Sequence, residues 1–397
     1  MAEARKIPAG STTVGSVRVT AESTVATRIS APPSYDVTDF PIPHGREEEW
    51  RFTPLERLGG LHDGTAAPVG ESATVAVSAP AGVTVETVGR DDARLGAAGT
   101  PVDRVAAQAY SSFEKATVVT VPQDTVLGEP VRIAVRGEGG TSFGHQVVEL
   151  GAFAEAVVVM EHTGSGVLAA NVDFVLGTGA KLTVVSVQDW DDTAVHVAQH
   201  NALIGRDAGF TSTVVTLGGD VVRLHPRVSY QGPGGEAELY GLYVTAAGRH
   251  HEHRLLVDHA APHCRSNVTY KGALHGDGAH AVWIGDVLIQ SPATGTDTYE
   301  LNRNLVLTDG ARVDSVPNLE IETGEIVGAG HASATGRFDD EQLFYLMARG
   351  IPADEARRLV VRGFFAELVQ RIGLPDVEER LLAKIERELE DSAGPAA

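Results

Sequence analysis

From Ala116 to about Val327 the chain alternates short Val-rich runs with tight breaks, and no helical period intervenes. The runs include ATVVTV, VRIAV, HQVVEL, AVVVMEH, VDFVL and KLTVVSVQ, each bounded by Gly, Pro, Asp or Asn. Several breaks share a small-residue form: GTGA ending at Ala180, GRDA at Ala208, GGEA at Ala237, GDGA at Ala279 and TDGA at Ala311. Their steps are 28, 29, 42 and 32 residues. A near-regular period with insertions is the signature of a solenoid. Parallel strands ordinarily need helical crossovers, and this stretch holds none. A β-helix meets the need differently, because each coil is its own crossover. Gly and Ala at the corners let the backbone turn, while inward Val, Leu and Ile fill a narrow interior. The rival is an antiparallel sandwich, which short strands and frequent turns also permit.

The flanks read differently. Residues 1–33 are rich in Ser, Thr and Ala and end in Ala31-Pro32-Pro33, the composition of a mobile arm. Residues 34–115 form a mixed N-terminal region. In it Glu47 to Leu55 predicts a short helix and a turn, with Trp50 and Phe52 as docking anchors. Residues 70–90 alternate as a strand does, and Asp103 to Tyr110 predicts one or two helical turns. The β-helix core is expected over 116–336 and a helical unit over 337–397. There Asp339, with Gln342 three residues on, predicts a capped first helix that Gly350 and Pro352 close. Pro352 opens a second helix, whose apolar band (Ala356, Leu359, Val360, Val361, Phe364, Phe365, Leu368, Val369, Ile372) is wider than one packing face requires. Pro375 opens a third.

Charge and composition exclude several roles. The chain has 32 basic and 53 acidic residues, a net charge of −21, which disfavours nucleic acid and anionic lipid as partners. No apolar run approaches the roughly 18 residues of a membrane helix, and no secretory h-region is visible at the start; a cytoplasmic location is expected. A single cysteine, Cys264, excludes a disulfide framework and any Cys-pair metal site made by this chain alone. There is no P-loop and no G-x-S-x-G elbow.

Two places could hold chemistry. Dense histidine (His250, His251, His253, His259, His263, His275 and His280, with Asp258 and Cys264) suggests metal, but no metal-ligand spacing accompanies it, and a polar ladder on neighbouring coils is the structural alternative. The other is His331, in the small-residue stretch GAGHASATG, read as a loop between the β body and the helical tail.

The segments NRNLVLTDGARVDSVPNLEI, GHASATGRFDDEQLFYLMARGI and EARRLVVRGF, in that order, resemble the SufB/SufD family of iron–sulfur cluster assembly proteins. Weaker resemblance reaches back to SSFEKATVVTVPQDTVLGEPVRI and EEEWRFTPLERL. The resemblance implies a right-handed parallel β-helix and a non-catalytic scaffold. Its implied partners are a SufB-like paralogue through the β-helix and the ATPase SufC through the C-terminal helices. A homodimer is the alternative for the isolated chain. No cofactor is held stably; a transient iron–sulfur cluster would be shared with SufB. It places His331 near the SufB–SufD contact as a candidate cluster ligand. Some SufD-like chains carry a cysteine two residues earlier, where this chain has Ala329. Ala332 after His331, and the scarcity of cysteine, favour the SufD branch over the SufB branch. Expected SufC contacts are Phe344, Tyr345, Leu359 and Phe364, with Arg349, Glu355 and Arg358 at the rim. A β-helix polysaccharide lyase or hydrolase is the reading from another class; an aromatic content of 6% and no visible signal peptide argue against it.

Overall fold

The computed structural model describes residues 32–68, 72–338 and 340–391; the expected N-terminal arm, apart from its last residues, and the Asp339 cap lie outside them, as does the side chain of Gln342. The chain is mainly β, and its body is a parallel solenoid of about eight turns. Strands β3 (Ala116–Val121) and β4 (Val131–Leu150) begin it, and the long β5 (Glu155–Leu176) bends around a corner and contributes to both faces. One face continues through β6 (Lys181–Trp190), β8 (Gly209–Thr216), β10 (Glu236–Thr245), β12 (Arg265–Leu274), β14 (Asp297–Val306) and β16 (Gly328–Arg337). The other continues through β7 (Val195–Ile204), β9 (Val221–Tyr230), β11 (His250–His259), β13 (His280–Ile289) and β15 (Arg312–Ile321). Every neighbouring pair on these two faces is parallel. The antiparallel sandwich is therefore excluded. Among the described residues only β1 (Ala73–Ser78) and β2 (Thr84–Val88), at the beginning, pair antiparallel.

The corners explain the spacing. Lys181, Gly209, Arg265 and Asp297 each donate their backbone N–H to the corner residue one coil back: Ala154, Ala180, Gly235 and Cys264. Successive first-face strands start at 181, 209, 236, 265, 297 and 328, so a coil takes 27 to 32 residues. The apparent 42-residue step is corrected by this geometry. Ala180 and Ala208 belong to the corner before the first face, whereas Ala279 and Ala311 belong to the corner before the second. Cys264 stands in the same column as Ala154, Ala180 and Ala208, fully buried where a small side chain is required.

Strand alternation sorts the side chains. Inward positions build one long apolar core, including Val184, Leu182, Phe210, Leu239, Val268 and Trp283. Outward positions of the first face (Val159, Val185, Val215, Leu242, Val244) are covered by α3 (Ala353–Gln370) and α4 (Pro375–Asp391), through Val361, Phe365, Val369, Leu381 and Ile385. Outward positions of the second face are covered by the N-terminal region: Trp50, Leu58, Leu61 and, from α1 (Arg104–Ser112), Val105 and Ala109 pack on Ala169, Val195, Val197 and Val221. Asp103 caps α1, its carboxylate accepting from Ala106 N–H at 2.8 Å. Residues 47–53 form turns rather than the expected helix, followed by a short 3-10 turn at Leu55–Arg57. Trp50 is buried there as an anchor, whereas Phe52 stays half-buried under Arg51.

At the far end the segment around Pro317 is a single ten-residue strand, β15. Proline is tolerated because β15 pairs on one side only, with β13. The stretch holding His331 is not a loop. It is β16, paired with β14 through all ten residues. Its small residues have weak β propensity, and the template of the coil beneath overrides it.

Candidate functional site

The solenoid stops at β15 and β16, each of which leaves its outer edge unpaired among the described residues. Inward positions of β16 are set by register: Ala329, His331, Ser333 and Thr335 stand over Thr298, Glu300, Asn302 and Asn304 of β14. Hydrogen bonds close this last coil across its interior. Ser315 Oγ lies 2.7 Å from both Ser333 Oγ and Asn302 Oδ1, and Asn304 donates to Thr335 at 3.4 Å. Below, Asn304 donates to Asn302 and accepts from the Tyr243 hydroxyl, so a polar column runs up to the open end. His331 is exposed on this end. Glu300 beneath it is fully buried, and burial followed by the nearby charge of Asp286 pushes its carboxyl up to about 8.

The histidine-rich segment does not converge on one site, because alternation splits it. His251, His253 and His259 face the interior. His253 stacks on Tyr243 at 5.1 Å and meets Thr216 Oγ1 at 2.9 Å; His251 meets Thr245 Oγ1 at 3.0 Å; His259 stacks on Tyr230 at 4.8 Å and meets Ser266 Oγ at 2.9 Å. His250 and His280 face outward on the second face, and His263 sits at a corner with φ 59°. Desolvation drives His253 down to about 3 and His259 to about 4, so both are neutral at ordinary pH. Among the described residues no group of three or more His, Cys, Asp or Glu is placed to hold a metal. The contacts these histidines make on neighbouring coils are those of a polar ladder.

A buried charge network lies between the second face and the N-terminal region. Arg223 donates to Asp103 at 2.8 Å and to Glu252 at 3.3 Å, with its guanidinium 4.1 Å from the centre of the Trp50 ring. Glu252 also accepts from Thr53 at 2.7 Å and lies 3.2 Å from His250 Nε2. Burial alone would raise the Glu252 carboxyl, but the His250 hydrogen bond and the charge of Arg223 hold it well below the usual range. Of this network, Arg223 and Glu252 were not singled out from sequence, because an outward charged residue on a strand ordinarily reads as a solvated position.

The C-terminal residues expected at an interface fall into two groups. Phe344 (73% exposed) and Tyr345 (56% exposed) stand out from α2 (Asp340–Met347), with Met347 also exposed and the Arg349 guanidinium 3.8 Å from the centre of the Tyr345 ring. Leu359 and Glu355 are exposed on α3, and Arg358 is half-buried. Phe364 instead packs toward the body: its carbonyl accepts from Lys271 Nζ at 3.1 Å, and that ammonium lies 5.5 Å from its ring centre. No helix among the described residues is long and apolar enough to cross a membrane.

Fold and site together define a parallel β-solenoid protein, dressed by helices on one face and by its N-terminal region on the other, with a polar open end. Residues 133–364 match the sequence model described as "SUF system FeS cluster assembly, SufBD core domain". An iron–sulfur cluster assembly SufBD family protein of Mycobacterium tuberculosis is 61% identical over 365 residues, covering 90% of this chain and 92% of the relative. SufD of Escherichia coli is 30% identical over 198 residues, half of this chain and 46% of the relative, and SufD of Bacillus subtilis 39% over 113, covering 28% of this chain and 26% of the relative. The chain belongs to the SufBD family of iron–sulfur cluster assembly proteins.

Proposed function

We propose that this chain is the SufD-like, non-catalytic scaffold subunit of a cytoplasmic cluster assembly complex. It pairs with a SufB-like paralogue through the last coil and docks the ATPase SufC through the C-terminal helices. The observation that carries the reading is the open end: two ten-residue strands with unpaired outer edges, beside an exposed histidine. Unpaired strand edges template pairing with another chain unless they are blunted. Here the outer strand β16 is made almost wholly of small residues, which lets a second backbone approach closely. The exposed aromatic pair of α2 has the character of interface anchors, with Arg349, Glu355 and Arg358 as rim charges around Leu359. A nascent cluster at the joint would be shared, with His331 as one ligand and most others from the paralogue. No cluster would be held by this chain alone, consistent with its single buried cysteine. The scaffold would couple ATP-driven movement of SufC to the joint, with no chemistry of its own.

The test is reconstitution of the three-subunit complex. His331→Ala should leave subunit stoichiometry unchanged and lower cluster yield severalfold. The double change Phe344→Ser, Tyr345→Ser should abolish capture of the ATPase while the solenoid stays folded. Full cluster yield with His331→Ala, or retained ATPase capture by the double variant, would overturn the corresponding assignment.

A further inference from the structure

Glu300 is the anomaly of the end coil. Its side chain is 1% exposed, and neither carboxyl oxygen has a hydrogen-bond partner. A buried polar group left unpaired costs about 1–3 kcal/mol and calls for an explanation. The surroundings show that room is kept for it. Across the interior, Gly285 of β13 bears no side chain; a Cβ there would sit 2.9 Å from Glu300 Oε1 and 2.4 Å from the Trp283 ring. Trp283 Nε1 in the same layer is also unpaired. Directly above Glu300, one strand nearer the open end, is His331. Both face inward, as the Ser315–Ser333 and Asn304–Thr335 contacts of the same register fix. Adjacent strands lie about 4.8 Å apart, so a carboxylate and an imidazole on them can reach a common ion. Among the described residues His331 has no hydrogen bond to break first, and neither has Glu300.

We propose that Glu300 and His331 form a carboxylate–imidazole pair that takes a ferrous ion at the open end of the solenoid. This inference rests on reading the last coil as the cluster-bearing joint. Carboxylate and imidazole are both ligands suited to iron. On binding, the Glu300 carboxyl releases its proton to solvent, and the dication compensates the buried carboxylate that remains. The other coordination positions stay open for sulfide and for groups of the paired subunit. Among the described residues no third His, Cys, Asp or Glu joins the pair, so further ligands would come from the complex.

The test titrates the full chain with ferrous iron alone, without oxygen, and reads affinity and stoichiometry by equilibrium dialysis. The wild-type chain binds one ion. Glu300→Gln, which keeps shape and neutrality, weakens binding at least tenfold, with a melting temperature within a few degrees of wild type. His331→Ala weakens it equally, and the double variant is no weaker than either single change, because the pair acts as one unit. Iron binding by Glu300→Gln equal to wild type, or no ferrous binding by the wild-type chain, overturns the pair. A merely structural Glu300 would move the melting temperature of Glu300→Gln and leave iron affinity untouched. Failure of the wider reading is separable: titration as expected, with no paralogue or ATPase captured, refutes the complex and leaves the pair standing.

Discussion

Gly241 of β10 and Gly272 of β12 occupy inward positions on neighbouring strands, and each receives a ring from the other strand. A Cβ on Gly241 would lie 2.0 Å from the Tyr270 ring, and one on Gly272 would lie 1.9 Å from Tyr243. The glycines are the holes into which two fully buried tyrosines fit. Gly272→Ala therefore forces a buried ring to move, and overpacking of this kind costs about 1–3 kcal/mol. Urea unfolding should show a midpoint lowered with an unchanged slope; an unaltered midpoint would mean the interior has slack. The interior histidines set a second expectation at this scale. Burial lowers His162 to about 4, His200 to about 3, His253 to about 3 and His259 to about 4, with His196 and His251 well below the ordinary value. An unfolded chain protonates them near 6.5. Their contribution to stability is thus complete above pH 6.5 and lost as pH falls from there through the folded values, by about 1.4 kcal/mol per pH unit for each such histidine. Urea midpoints at pH 7.5, 6.5 and 5.5 should fall steeply over the last step; a flat profile would show that the ladder accepts protons without cost.

At the scale of elements, two dressings hold the solenoid by different physics. The N-terminal region is clamped through Arg223, Asp103 and Glu252, all fully or nearly fully buried. Arg223→Ala strands two buried carboxylates, which typically costs about 3–5 kcal/mol. Limited proteolysis should then cut within residues 34–115 first, and unchanged protection there would contradict the clamp. The α3–α4 pair is held by an apolar seam instead, so deleting residues from 338 onward would expose Val159, Val185, Val215, Leu242 and Val244 and invite aggregation. Point changes on α2 are the cleaner probe, since Phe344 and Tyr345 do not belong to that seam. The helices were legible in sequence because capping and period are local signals, as Asp103 and Pro375 illustrate. Strand β16 was not, because its glycines and alanines carry no local preference and its pairing is dictated by the coil beneath. Pro317 is hard to read for the same reason: a proline reads as a break until the strand is known to be an edge.

For the whole molecule, the solenoid was legible from the corners, although GGEA and GDGA lie on different corners and their spacing mixed two columns. His331 was found through likeness to a family, whereas Glu300 carried only a faint signal, the period-two polar run Thr298, Glu300, Asn302, Asn304. What that run faces depends on where the coils end, which no single strand encodes. Among the described residues the solenoid ends at the last coil with its outer strand edges unpaired, and the central claim is that a second subunit continues it. Hydrogen–deuterium exchange of the full chain, alone and in the complex captured from its native cell, tests this most directly. The account predicts that protection gained on assembly concentrates in β15 and β16, with a smaller gain at α2, and that mass spectrometry of the complex finds a SufB-like paralogue and an ATPase. Unchanged exchange in β15 and β16, with protection gained only along the sides of the solenoid, would contradict it.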